Sequence, residues 1–332
     1  HFNTVTYTGN TSAGHAITGV GFQPDLTWNK SRANATPHYL FDVIRGATNF
    51  IKSDSTSAES QNTDTLTSFD SDGFTLGNAT GNNGSGSFAS WNWLANGAGS
   101  SNTDGDITST VSANTTSGFS IVSYTGNATS GATVGHGLGS TPKMIIFKDR
   151  SNVNGWHTYH SSFANATDLL LLDTTGALYT ANYYINNTRP TSSVFSLGNG
   201  AGTNGSSENY IAYCFAEKQG YSKFGSYDGN SIGNDNNFQY CGFSPAFVMI
   251  KCSSAVESWV MFDSKRNGFN PDNDELYPNL SNAESSVESV DFLSNGFNPY
   301  KGTGTINRSG KSYIYMAFAE QPLVGDNPAT AR

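Results

Sequence analysis

Short apolar runs alternate with polar turn segments along the whole chain, and residues 119–217 show the pattern most clearly. Residues 119–124 alternate and carry β-branched side chains. Residues 143–148 form an apolar run bounded by Lys143 and Lys148. Further strands are predicted at 156–160, 169–172, 194–197 and 210–217, with a possible seventh at 133–138. Turn residues separate them, as in a sandwich of antiparallel sheets. No run holds a helical period beyond two turns. The best are 56–61 and 281–286. The reading is an all-β chain.

The pattern then repeats. Tyr7-Thr8-Gly9-Asn10 returns as Tyr124-Thr125-Gly126-Asn127 and as Tyr227-Asp228-Gly229-Asn230. Gly21-Phe22-Gln23-Pro24 is matched by Gly242-Phe243-Ser244-Pro245. Apolar runs end on Lys30, Lys148 and Lys251. Phe41-Asp42 with Arg45 is matched by Phe262-Asp263 with Arg266. Asp72-Gly73-Phe74 is matched by Asn295-Gly296-Phe297. Asn82, Asn204 and Asn307 each precede a closing aromatic run. A period near 100 residues has the size of a domain and exceeds that of a solenoid repeat.

These boundaries predict three tandem antiparallel β-sandwich repeats of jelly-roll or lectin-like type. They span 1–95, 118–217 and 218–320, with a Gly/Ser/Thr/Asn-rich linker at 96–117 and a C-terminal arm at 321–332. The linker, without apolar periodicity, is expected to let the first unit move relative to a packed second and third. The chain opens on His1 inside a strand-like run, which favours a missing N-terminal portion. Tyr7, Tyr124 and Tyr227 are expected at one structural position, and so are Asn82, Asn204 and Asn307.

Composition narrows the function. Lys and Arg number 17 against 26 Asp and Glu, a net charge of −9. That argues against a nucleic-acid groove. No stretch of about 20 apolar residues exists to cross a membrane as a helix. The odd set Cys214, Cys241 and Cys252 reads as reduced, buried core residues.

Ionisable groups able to do chemistry are few. His157 and His160 lie three apart in one strand, on opposite faces, so they cannot share a metal. One is expected packed and the other solvated. Asp70 and Asp72 suggest calcium spacing, but the matching Asp291 to Asn295 segment keeps only the turn, so a turn is read there. The Asp42–Arg45 and Asp263–Arg266 pairs are expected to be structural. No catalytic residue, metal ligand or cofactor is assigned. Trp91, Trp93, Trp156 and Trp259 are candidates for stacking on sugars, with core packing the stronger reading for Trp156 and Trp259.

The repeated elements carry a resemblance. Residues 69–77, 119–126, 191–198, 213–217, 220–227 and 315–320, with Gly21 to Asp25, resemble a tandem domain of unassigned function found in virion proteins of marine bacteriophages, especially tail-fibre-like ones. Together with the repeated β scaffold and the scarcity of catalytic groups, the resemblance leads to the expectation of a non-enzymatic, virion-surface adhesin assembled in the host cytoplasm. It would bind host surface polysaccharide and pack with other virion proteins and further copies of itself, a trimer being favoured. A purely structural head-decoration or fibre-shaft component is the alternative, and a polysaccharide depolymerase a third. Two polar loops are the candidate contact surfaces. One carries Tyr183, Tyr184, Asn186, Asn187 and Arg189; the other carries Asn230, Asn234, Asp235 and Asn236.

Overall fold

The computed structural model describes residues 1–231, 237–266, 270, 273–287 and 289–319. It is all-β, with 44% strand against 4% helix, built from several antiparallel sheets. The two stretches read as the best helices are extended or irregular, with strands at Ser60–Gln61 and Ser285–Val287. Ser60 and Gln61 pair with Phe50 and Asn49, and Ser285 and Ser286 with Glu275 and Asp274, so pairing with a neighbouring segment overrides the local preference. The one-turn helices lie elsewhere, at Thr80–Asn83, Asn182–Ile185 and Ala201–Asn204.

Three large sheets share one strand order. Phe2–Gly9 pairs with Gly86–Trp93, which pairs with Leu26–Ser31, which pairs with Tyr39–Asp42. The same order runs Phe119–Thr125, Asn209–Phe215, Met144–Asp149, His157–His160. It runs again as Ser222–Asp228, Ser312–Ala319, Pro245–Cys252, Trp259–Asp263. In each unit the opening strand therefore lies beside the closing strand, with the second and third strands following. A smaller sheet backs each large one: His15–Thr18, Gly73–Leu76 and Leu66–Asp70; Thr133–Gly135 and Val194–Ser196; Gln239–Tyr240, Gly296–Pro299 and Val290–Leu293.

One small device recurs in all three units. The Tyr7 hydroxyl donates to Asn82 O at 2.8 Å, Tyr124 to Thr203 O at 2.7 Å and Tyr227 to Ile306 O at 2.6 Å. Each ring stacks on the closing strand, on Phe88, Tyr210 and Tyr313, with centroids 5.0–5.2 Å apart. A buried Asn then accepts from the loop amide beyond the Tyr: Asn83 from Asn10, Asn204 from Asn127, Asn307 from Asn230. The partner of Asn204 and Asn307 is thus Asn83, and not Asn82 as the sequence match suggested. Two adjacent asparagines made the register ambiguous, and the hydrogen bonds resolve it.

The expected linker is a correction. Residues 96–117 hold strands Ser100–Asn102 and Ser109–Asn114, which extend the large sheet of the second unit. Ile107 and Val111 are buried in that unit's core. Two widely spaced apolar residues suffice here because the strands need cover only one face. The first unit is not set apart either. Glu59 N donates to Arg150 O of the second unit, and Asn154 N of the second unit to Thr56 O. The expected arm at 321–332 lies outside the described residues.

Each large sheet has two covered faces. The outward face packs on the unit's small sheet around its own cluster of apolar side chains. The inward faces of all three meet in a single central core. At its centre lie Trp93, Phe215 and Phe318, one from the matching place in each closing strand. Their ring centroids are 6.3, 6.0 and 5.7 Å apart around the triangle. This explains two further corrections. Trp91, Trp93, Trp156 and Trp259 are all buried, none above 1% exposure, so none can stack on a ligand; for Trp156 and Trp259 this is the core packing expected, and the correction falls on Trp91 and Trp93. His157 and His160 are both buried, because neither face of their sheet meets solvent. The three cysteines are unpaired and buried, as expected.

Neighbouring units are locked head to tail around the core. Asp42 accepts from Arg45 Nε at 2.5 Å and from Tyr213 Oη of the second unit at 2.8 Å. Asp263 accepts from Arg266 Nε at 2.7 Å and from Trp91 Nε1 of the first unit at 2.9 Å. Glu59 joins Arg45 to Arg150, and Glu284 joins Arg266 to Arg32. Both Asp–Arg pairs are therefore buried structural ties that also cross between units. Removing one partner of such a pair strands the other charge in a dry site, which costs about 3–5 kcal/mol. Asp263→Ala should lower the free energy of unfolding by about that amount in urea titrations. A loss below about 1 kcal/mol, the size of an exposed pair, would show that the lock is dispensable.

Candidate functional site

The seam between the second and third units departs from the other two. At the place of Asp42 and Asp263 stands His160, opposite Met144 as those residues stand opposite Leu26 and Phe247. Three residues on, Arg45 and Arg266 give way to Phe163. The backbone bonds Glu59 N to Arg150 O and Glu284 N to Arg32 O are matched by Leu178 N to Ser253 O at 2.8 Å. Leu178 therefore replaces the glutamate, and Ser253 the arginine. The position of Tyr213 and Trp91 is taken by Met316, which has no donor to offer. His160 Nε2 instead lies 3.3 Å from Tyr315 O. A charged network has been exchanged for a neutral one, a substitution that buried ion pairs tolerate well.

The exchange leaves room. A groove of about 360 Å³ runs along this seam. Phe163, Leu178, Tyr227, Tyr313 and Ile314 supply its apolar lining, and Ser162, Ser226, Ser253, Ser312, Asp168 and Asp228 its polar groups. Asp168 is fixed: Oδ1 accepts from Thr180 Oγ1 at 2.7 Å, and Oδ2 from Asn165 N and Nδ2 at 3.0 Å. Asp228 Oδ1 accepts from Ser312 Oγ at 2.7 Å.

A second, more open groove lies on the far side of the same turn. It is lined by Asn165, Thr167, Thr180, Ala181, Asn182, Tyr183 and Asn187. Here two of the residues expected from sequence come together. Tyr183 is 49% exposed, and Asn187 is exposed beside it. Asn186 and Asn187 both hold φ of 45°, a left-handed conformation that Asn tolerates better than most side chains, and this turns the loop back over the sheet.

The other expected residues have structural tasks. Tyr184 lies on the His157 ring at 3.8 Å between centroids. Asn186 Oδ1 accepts from Ser130 Oγ. Arg189 donates to Ser161 O, Phe163 O and Ala164 O, pinning the turn between the two grooves. Asn230 is bound to Asn307 in the recurring device described above and lines neither groove. Asn234, Asp235 and Asn236 lie outside the described residues. Asp168, Ser226, Asp228, Ser253 and Ser312 were not foreseen. The signal was in the repeat: Phe163 and Leu178 break the columns that hold Arg and Glu in the other units.

Burial sets the charge state of the titratable groups near the grooves. His157 sits beneath the Tyr183 loop, 2.8 Å from Tyr179 Oη, and burial pulls its pKa down to about 3. His160 is likewise held down, to about 4. Both are neutral imidazoles at neutral pH. Lys30, Lys148 and Lys251 end the matching second strands, are fully buried, and donate to backbone carbonyls. Desolvation brings each down to about 8. None lines a groove. Asp72, the tempting calcium ligand, accepts from the amides of Gly19 and Gly21 and fixes a turn.

The chain belongs to a family described as a domain of unknown function, DUF7483, whose model matches residues 1–322. No curated protein matches it.

The buried His157 has a measurable consequence. Its folded pKa lies below the unfolded value, so the unfolded chain binds more protons below about pH 6.5. Stability therefore falls as pH drops through 6.5. At pH 5 this one group removes roughly 2 kcal/mol relative to its contribution at neutral pH. His157→Gln should flatten the decline between pH 7 and 5 in urea titrations. An unchanged pH slope would show that His157 is not held neutral under the loop.

Proposed function

We propose that this DUF7483 chain is a non-enzymatic module on the surface of a phage particle that attaches to host-surface glycans. It would be one component of a tail-fibre-like adhesin. We further propose that it arose from three β-sandwich repeats of jelly-roll type. The observation that carries the functional reading is the pair of grooves flanking the pinned 161–168 turn. They combine an exposed aromatic, Tyr183, with amides, hydroxyls and carboxylates. Such groups suit a sugar, which presents one apolar face and a ring of hydroxyls.

Several features support attachment over catalysis. Asp168 is committed to Thr180 and Asn165, and the histidines nearest the grooves are buried and neutral. Among the described residues no His, Cys, Asp and Glu cluster offers a metal site. A purely structural virion component is the second reading, favoured by the amount of the chain spent on its central core. Copies of the chain, and other virion proteins, are the proposed neighbours in either case. Several copies would act by avidity, which raises apparent affinity by ~10²–10⁴ without new contacts.

The test compares attachment of the purified, multimerised protein to host cells with and without their surface polysaccharide. Binding that disappears with the polysaccharide is the expected result, and Tyr183→Ala should weaken it. Equal binding to both cell types, or none to either, would remove the adhesin reading.

A further inference from the structure

We propose that the groove between the second and third units is a dedicated site for a neutral saccharide of one or two rings. The proposal rests on the glycan-attachment reading above and names the ligand class and the place.

The argument starts from the three seams. Two are tied by buried carboxylates, arginines and a donor from the next unit. The third keeps the backbone bond from Leu178 to Ser253 and exchanges every charged partner for a neutral one. Shorter side chains there leave the groove open. Its size fits a small ligand, since binding pockets begin at about 300 Å³.

The lining then selects the ligand. No Lys or Arg lines the groove, while Asp168 and Asp228 do. An acidic sugar would meet two carboxylates and no cation, so uronic and sialic acids are disfavoured. Hydroxyl donors suit the site. Asp228 Oδ2 has no partner among the described residues, and the exposed hydroxyls of Ser162 and Ser226 are likewise uncommitted there. Bonds across the seam fix the two units against each other. Trp259 Nε1 donates to Leu171 O, and Lys251 Nζ and Glu257 N both donate to Thr175 O. A site built this way is organised before the ligand arrives, which lowers the entropy lost on binding.

The experiment is saturation-transfer NMR on the full chain with maltose, cellobiose, lactose and mannobiose as neutral probes and a glucuronate-bearing disaccharide as the acidic one. Two variants accompany it. Ser226→Trp fills the groove from an exposed position on the opening strand. Thr6→Trp makes the same change at the matching exposed position of the first unit, away from the groove. The proposal expects at least one neutral probe to bind, the acidic probe not to bind, a loss of at least about tenfold in Ser226→Trp, and no loss in Thr6→Trp. Binding of no neutral probe, preference for the acidic one, or wild-type affinity in Ser226→Trp would overturn it. Cell attachment that persists in Ser226→Trp while saccharide binding to wild type is absent would remove this site and leave the attachment reading standing. Saccharide binding without any cell attachment would do the reverse.

Discussion

The contact on which the rest of the structure depends is the triangle of Trp93, Phe215 and Phe318. A sheet in a two-layer sandwich usually has one face in the core and one in water. Here the second face of each large sheet is apolar too, and burying it requires two neighbours of the same kind. Three sheets meeting on matching rings satisfy all three at once. The residues around the triangle follow from that demand. Phe2 stacks on Phe318 with centroids 5.1 Å apart, and Phe247 reaches Phe2, Trp91 and Trp93. Burial of so many rings is the principal source of stability, because each carries a large apolar surface out of water.

Polar groups then decide how the units are turned against each other. Apolar contact is non-directional, and three sheets could slide around a greasy centre. The buried Asp–Arg pairs remove that freedom, since each carboxylate must meet one named donor from the next unit. A contact that runs head to tail closes into a ring when the rotation allows it. The third seam holds register with a neutral set, His160, Phe163 and Leu178, so the charges are one solution among others. The seam that gave up its charges is also the one that carries the groove. Geometry and candidate chemistry are thus linked through a single exchange of side chains.

Much of this was legible in the chain. The strands, the spacing of matching elements, the buried cysteines and the structural Asp–Arg pairs follow from alternation and repetition. The relation between units did not. A strand such as Ser109–Asn114, with Val111 as its deepest apolar residue, resembles linker in composition and becomes a strand through its neighbour Phe119–Thr125. Core packing was legible for Trp156 and Trp259, whereas Trp91 and Trp93 could be assigned to the core only once both faces of each sheet were known to be covered. The Tyr183 loop was found because its aromatics and amides are contiguous. The seam groove was missed because its residues come from five separate segments, and only the fold brings Ser162, Leu178, Ser226, Ser253 and Ser312 together.

The central claim is that three sheet pairs share one core and so stand or fall together. Scanning calorimetry of the intact chain tests it most directly. A shared core predicts a single transition whose calorimetric and van't Hoff enthalpies agree, because no unit can leave without exposing the others. Two or three separate transitions, each with the enthalpy of a domain of about 100 residues (about 60–80 kcal/mol), would contradict it.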